Sequence, residues 1–187
     1  MKGLIKGNAV AVLASGPSLT VEDIDLLRAH KVPMIAVNST WKVCRDCIGI
    51  YAGDYRWSKS YGPEIDIDAP RYSRSKNAEK HHNAKFVRSR VKGQYNSGQM
   101  AVEVAFLKGA SQVIMLGFDC SVKNGIHHHG PHKRSPNPNP ERCRRWVGMF
   151  EQLKRTHKKA NVVNCSRYTE LEVYPVRPLE DVLCELG

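Results

Sequence analysis

Short apolar runs alternate with helix-patterned stretches along most of this chain, and that alternation limits what it can fold into. Asn8–Ala14 and Pro33–Val37 read as strands, as do Ile48–Ala52, Gln112–Leu116 and Asn161–Asn164. A run of four to eight apolar residues bounded by turn residues is the mark of a strand buried on both faces. Between them lie helical patterns. Thr20 can cap a helix whose first turn holds Glu22 and Asp23 and whose apolar residues Val21, Ile24 and Leu27 are helically spaced. Ser97 can cap another, with Met100, Val104 and Leu107 on one side and Gly109 closing it. Glu141–His157 is a basic amphipathic helix with Trp146, Met149, Phe150 and Leu153 as its buried side, and Leu179–Leu186 is a last helix. Strand and helix in alternation predict an α/β, Rossmann-like fold: a mostly parallel sheet with helices on both faces. Neither a repeat nor a linker divides the chain, so residues 1–187 read as one domain.

Residues 55–95 fit this scheme least. They are polar, basic and poorly periodic, with Tyr55, Trp57, Tyr61, the pair His81–His82 and one short candidate strand at Lys85–Arg88. Residues 121–140 read as a long loop with three consecutive histidines.

Composition narrows the function. Lys and Arg total 29 against 18 Asp and Glu, a net charge of +11 over 187 residues. With 41% hydrophobic residues the chain can bury a core and is not a disordered basic tail. No apolar run approaches the ~20 residues of a membrane span. The excess charge points to polyanionic partners: phosphates, nucleotides or nucleic acid. The apolar run within Met1–Ser15 leads straight into Gly16-Pro17-Ser18-Leu19 and a capped helix, so it reads as a first strand rather than a signal peptide. A cytoplasmic protein with reduced cysteines is the expectation. Cys44-Arg45-Asp46-Cys47 is the one C-x-x-C, and without a second such pair at finger spacing it reads as core cysteine rather than zinc.

In an open parallel sheet, ligands bind beyond the carboxyl ends of the strands. Four strands here end in small or polar residues: Ser15-Gly16-Pro17-Ser18, Asn38-Ser39-Thr40, Gly53-Asp54 and Gly117-Phe118-Asp119. The first is neither a Walker A loop nor G-x-G-x-x-G. It suits phosphate at a helix N-terminus, and it suits an ordinary strand-to-helix turn equally well. Asn96-Ser97-Gly98 opens a second helix that is ready for an anion. The loop His127-His128-His129-Gly130-Pro131-His132 follows Asp119. Its imidazoles suit proton transfer near neutral pH, metal binding, or simply a polar exposed loop.

Taken in order, these segments are similar to one known group. They are Gly16-Pro17-Ser18-Leu19, Asn96-Ser97-Gly98 into Ala101 and Ala105, Gly109-Ala110, Ile114–Asp119, the His-Gly-x-His loop, Val163–Ser166, Val173-Tyr174-Pro175 and Leu179–Leu183. The group holds bacterial sialyltransferases, archaeal 6-hydroxymethylpterin diphosphokinase-like proteins and small uncharacterised phage and bacterial proteins. The resemblance runs from about residue 8 to 184. It implies a nucleotide or nucleotide-sugar at the sheet's switch point, held by positions matching Gly16, Ser18, Asn38, Ser97 and Gly98. It also implies a general-base histidine among His127, His128, His129 and His132. The chain departs from that group in being considerably shorter, which bears on the acceptor-binding lid. It is also far more basic over residues 56–92, which points to a more anionic acceptor.

The leading expectation is a transferase with a nucleotide-activated donor, a glycosyltransferase foremost, acting on an anionic acceptor such as phage or host DNA. The expected catalytic set is His129, His132, His127 and Asp119. The expected nucleotide-binding set is Gly16, Pro17, Ser18, Asn38, Ser39, Asp54, Asn96, Ser97, Gly98 and Gly117. A nucleoside diphosphate sugar would call for Mg or Mn at Asp54 or Asp119, whereas a monophosphate sugar needs no metal. The alternatives are an ATP- and magnesium-dependent pyrophosphokinase-like enzyme and a non-catalytic phage protein that binds nucleotide or nucleic acid. A homo-oligomer is expected.

Overall fold

The computed structural model describes residues 5–186. Residues 1–4, the start of the Met1–Ser15 stretch, and residue 187 lie outside them. Seven strands form one all-parallel sheet: β1 (Ala9–Leu13), β2 (Met34–Val37), β3 (Gly49–Tyr51), β4 (Arg71–Ser73), β5 (Ala84–Phe86), β6 (Gln112–Leu116) and β7 (Val162–Asn164). Their spatial order is β5-β4-β3-β2-β1-β6-β7. The chain steps outward from β1 to β5 and then crosses back to β6 on the other side of β1. The order therefore reverses between β1 and β6, which pair in register from Ala9↔Gln112 to Leu13↔Leu116. Among the described residues, α1 (Val21–Ala29), α2 (Tyr55–Tyr61), α3 (Lys76–His82), α4 (Ser97–Leu107) and α5 (Pro140–Thr156) lie between strands, and α6 (Leu179–Cys184) follows β7. The fold is α/β and Rossmann-like. Among the described residues no helix is long and apolar enough to cross a membrane.

The two-residue period of a strand sorts the core into two layers. Ala11 and Leu13 of β1 and Ile114 and Leu116 of β6 pack with Ile24 and Leu27 of α1 and Leu179, Val182 and Leu183 of α6. Val10, Val12, Val113 and Met115 face the other way, onto Met100, Ala101 and Val104 of α4 and Phe150 and Leu153 of α5. Each large aliphatic side chain so buried contributes about 1.5–3 kcal/mol. Burial of both faces is why β6 carries four apolar residues in a row.

The boundaries of β1, β2, β3 and β7 fall within one or two residues of the apolar runs, and β6 coincides with its run. Thr20 caps α1 in a full capping box, its hydroxyl accepting from the Asp23 amide and the Asp23 carboxylate accepting from the Thr20 amide. The cap of α4 is Asn96 rather than Ser97; its side-chain oxygen accepts the Gln99 amide at 2.8 Å. The Ser97 hydroxyl instead accepts the Gly53 amide at 3.1 Å, tying β3's end to α4.

Region 55–95 holds more structure than its polarity suggests. It contains α2, β4 and α3, and its last strand is Ala84–Phe86 rather than Lys85–Arg88. Trp57 and Tyr61 of α2 are buried one helical turn apart, while α3 buries only Ala78. A helix that hides one small residue leaves almost no apolar signal.

Candidate functional site

A cleft of about 1000 Å³ opens at the carboxyl edge of the sheet, over the reversal between β1 and β6. Of the expected residues, Gly16, Asn38, Asp54, Asn96, Ser97, Gly98, Gly117, Asp119, His127 and His132 line it. Pro17, Ser18, Ser39, His128 and His129 are not among its lining residues.

The floor is a close meeting of two turns. The Gly16 amide donates to the Gly117 carbonyl at 2.9 Å. A Cβ on Gly16 would lie 2.5 Å from that carbonyl oxygen and collide with the Asp119 carboxylate. Gly117 has φ +72, and a Cβ there would lie 2.7 Å from the Ala14 carbonyl oxygen. Both glycines are thus required by the packing of the protein on itself.

Asp119 also settles the state of the first turn. Its carboxylate accepts the Ser18 amide at 3.0 Å and the Ser18 hydroxyl in a very short contact. The Ser18 amide, expected to face a ligand phosphate, is therefore occupied by the protein's own anion. Burial raises the Asp119 carboxyl above the ordinary carboxylate range, against the opposing pull of the Ser18 hydrogen bonds. Asp119 sits 4% exposed in a structural bond network, which leaves little of it for metal or catalysis. Asp54 is exposed and caps α2, accepting the Arg56 amide at 2.7 Å.

The turn carrying Asp119 is held from behind by the loop after β7. The Ser166 hydroxyl accepts the Phe118 amide at 2.8 Å, and Thr169 donates to the Phe118 carbonyl at 2.7 Å. Buried Asn164 orders that loop by donating to Leu171 O and accepting from the Ser166 amide. The Val163–Ser166 segment thus acts as a brace beneath the cleft.

The opposite wall comes from α4 and α5. Arg142, Arg145, Trp146 and Met149 of α5 line the cleft. Trp146 and Met149, expected in the core with Phe150 and Leu153, are only half-buried because the cleft opens beside them. Asn139 caps α5, accepting the Arg142 amide at 2.9 Å. Tyr95 stands at the mouth, 36% exposed, with the Arg74 guanidinium 4.6 Å from its ring centre. Sequence reasoning passed over Tyr95 as a site residue and read Trp146 as core. The one available signal was Tyr95's position directly before the Asn96 cap.

Four side-chain atoms of residues lining the cleft are buried with no partner in the protein: Asn38 Oδ1, Trp57 Nε1, Ser135 Oγ and His127 Nε2. Asn38 adopts φ +51 at the end of β2, a conformation asparagine tolerates better than most residues. Buried polar atoms without partners carry a cost that a bound ligand can repay.

The histidine loop is pinned to the end of β1. The His128 amide donates to the Ser15 carbonyl at 3.0 Å, and His127 Nδ1 lies 2.9 Å from Ser15 Oγ. His132 is fixed by Asn137, whose side chain accepts the His132 amide at 2.7 Å and donates to its carbonyl at 3.1 Å. The rings of His127, His129 and His132 lie 4.5–5.0 Å apart, centre to centre. Burial, aided by repulsion between the rings, drives His127 down to about 3 and His128 and His132 to about 4. Burial also lowers His129. Lowered in this way, the imidazoles favour the neutral form, in which one ring nitrogen is free to accept a proton or a metal.

Among the described residues, the group of three potential metal ligands is His127, His129 and His132. Neither Asp54 nor Asp119 belongs to it, and no cysteine does. Cys44 and Cys47 are buried free thiols, the first 3.7 Å from Met34 Sδ, in keeping with core cysteine. No protein-family model matches the chain, and no curated protein matches it in sequence.

Proposed function

We propose that this chain is a transferase that takes a nucleotide-activated donor, a nucleotide-sugar foremost, into the cleft and passes the activated group to an anionic acceptor. One observation carries the reading. A cleft of about 1000 Å³ at the strand-order reversal combines cationic, aromatic and unpartnered polar groups. That size suits a small-molecule ligand, and the reversal is where open α/β sheets bind theirs. In this reading Tyr95 and Trp146 offer faces for the base, while Arg142 and Arg145 meet the phosphates. Asn38 gains a hydrogen-bond partner from the donor. The transferred group lies toward His127 and His132. The resemblance to sialyltransferase-like and phage proteins supports the same assignment.

The acceptor side follows from charge. Arg56, Lys76, Lys80, Lys85, Arg88, Arg90 and Lys92 are exposed across residues 56–92, and Arg144 and Arg145 are exposed on α5. Such a surface favours a polyanion, and DNA is the acceptor we propose.

Thermal melting with nucleoside mono- and diphosphates, followed by donor-hydrolysis assays, tests the reading. Ligand at a hundredfold excess over Kd adds about 2.7 kcal/mol. For a chain of this length that raises Tm by about 5–10 °C. If no nucleotide shifts Tm and no nucleotide-sugar is hydrolysed, the proposal fails. ATP consumption abolished by chelator would favour a pyrophosphokinase-like enzyme instead. Tight binding without turnover would favour a sequestering protein.

A further inference from the structure

The histidine loop has a property that nucleotide binding does not use. We propose that His127, His129 and His132 form a site for a divalent transition metal of borderline softness, Zn²⁺ foremost, with one coordination position open to the cleft. One ring nitrogen from each residue can be chosen so that all three lie within 4.8 Å of one another. In a tetrahedral zinc site with Zn–N of about 2.0–2.1 Å, ligand nitrogens sit about 3.3 Å apart. The three nitrogens therefore have to close by about 1.5 Å at most, and His129 is exposed and so has room to turn.

Gly130 at φ +78 turns the chain, and its amide bonds to the His127 carbonyl at 3.0 Å. This turn folds His132 back onto His127 and His129. With His127 Nδ1 held 2.9 Å from Ser15 Oγ, Nε2 is left buried and unpartnered, as a ligand atom would be. A hydrogen bond on the second ring nitrogen is the usual way a metal-binding histidine is oriented.

The donor set selects the ion. All three ligands are imidazole nitrogens, with no carboxylate in the group, which disfavours Mg²⁺ and Ca²⁺. Three protein ligands rather than four mark an open site, and His127 and His132 line the cleft. The nearby cations are partly neutralised, because Lys42 and Arg134 both pair with Glu64. An anion from the cleft, phosphate or hydroxide, would complete the coordination.

The test uses the full chain stripped with EDTA, then titrated with Co²⁺ alone and with Zn²⁺ in competition. No nucleotide is added, so failure here is separate from failure of the nucleotide reading. The expected result is one equivalent of Co²⁺ with an intense visible d–d band, displaced by one equivalent of Zn²⁺. His129→Ala and His132→Ala should each weaken binding by more than ~100-fold, and Ser15→Ala by ~10-fold. His30→Ala, on the exposed C-cap of α1, should change nothing. The exposure of His129 lets its variant keep the fold, which melting in EDTA checks. The proposal is overturned if no cobalt band appears at micromolar metal. It is also overturned if binding is unchanged in a folded His129→Ala.

Discussion

The Asp119 carboxylate caps the Ser18 amide at 3.0 Å across 101 residues of sequence, joining the turns that follow β1 and β6. This bond sits at the point where strand order reverses, so it sets the floor of the cleft. It also means that this end of α1 comes with its own anion.

Removing that anion should be costly. Asp119→Ala strands the Ser18 amide and hydroxyl, for a loss of about 2–4 kcal/mol in urea unfolding. Asp119→Asn keeps an acceptor and should lose less. Burial raises Asp119's folded pKa above its unfolded value, so its ionised form is the penalised one. The titration contributes stability fully present below the unfolded pKa and lost as pH rises through the folded pKa. Wild type should therefore weaken relative to Asp119→Asn as pH climbs from the ordinary carboxylate range toward neutral. A flat difference would contradict the burial effect.

Gly16→Ala should harm both stability and site. The added methyl meets the Gly117 carbonyl oxygen at 2.5 Å as well as the Asp119 carboxylate, so the turn must shift. Overpacking of this kind costs about 1–3 kcal/mol. Calorimetric melting should show the loss, together with a diminished Tm shift on adding nucleotide.

Arg145→Ala separates binding from folding. Its ion pair with Glu141 is long, at 3.9 Å, and exposed, so stability should move by less than ~0.5 kcal/mol. A charge-assisted hydrogen bond to phosphate is worth about 1.5–3 kcal/mol. Titration calorimetry should therefore show nucleotide affinity falling by roughly 10- to 150-fold. Unchanged affinity would remove Arg145 from the phosphate site.

Glu103 predicts a large structural effect remote from the cleft. Fully buried on α4, it accepts the Arg90 amide at 2.8 Å, the Val91 amide at 3.3 Å and the Ser89 hydroxyl at 2.5 Å. Its Oε1 also lies 2.9 Å from His157 Nε2, beyond the end of α5. Glu103→Ala orphans the Arg90 amide, leaves the Val91 amide only its 2.9 Å bond to Ser89 Oγ, strips His157 Nε2 of its partner, and should cost about 3–5 kcal/mol. A loss under 1 kcal/mol in guanidinium unfolding would show that the loop before α4 re-forms its bonds elsewhere.

Glu103 illustrates what was hidden. In sequence it is one charged residue in an apolar helix, and nothing local announces that a loop twelve residues upstream will converge on it. The helices and strand within residues 55–95 were obscured for another reason. β4 has only three residues, one of them apolar, and α3 buries a single alanine, so neither is long enough to set up a period. For α2 a local signal exists: Trp57 and Tyr61 are spaced for a helix behind an Asp54 cap.

By itself the sequence determined the strands that are buried on both faces, the α1 cap and the parallel α/β class. These depend on apolar periodicity and capping among residues within about four positions of each other. It also marked Gly16, Asn38, Asp54 and Gly117 of the cleft, because strand ends in such a sheet must carry small or polar groups. Only the tertiary structure decided which of those groups meet. It gave Ser18 to Asp119, withdrew Ser39 from the cleft, turned Trp146 toward it and gathered three imidazoles beside Ser15. Those pairings span up to about a hundred residues. They follow from strand order and loop closure, which bring distant polar groups together wherever burial requires that each find a partner.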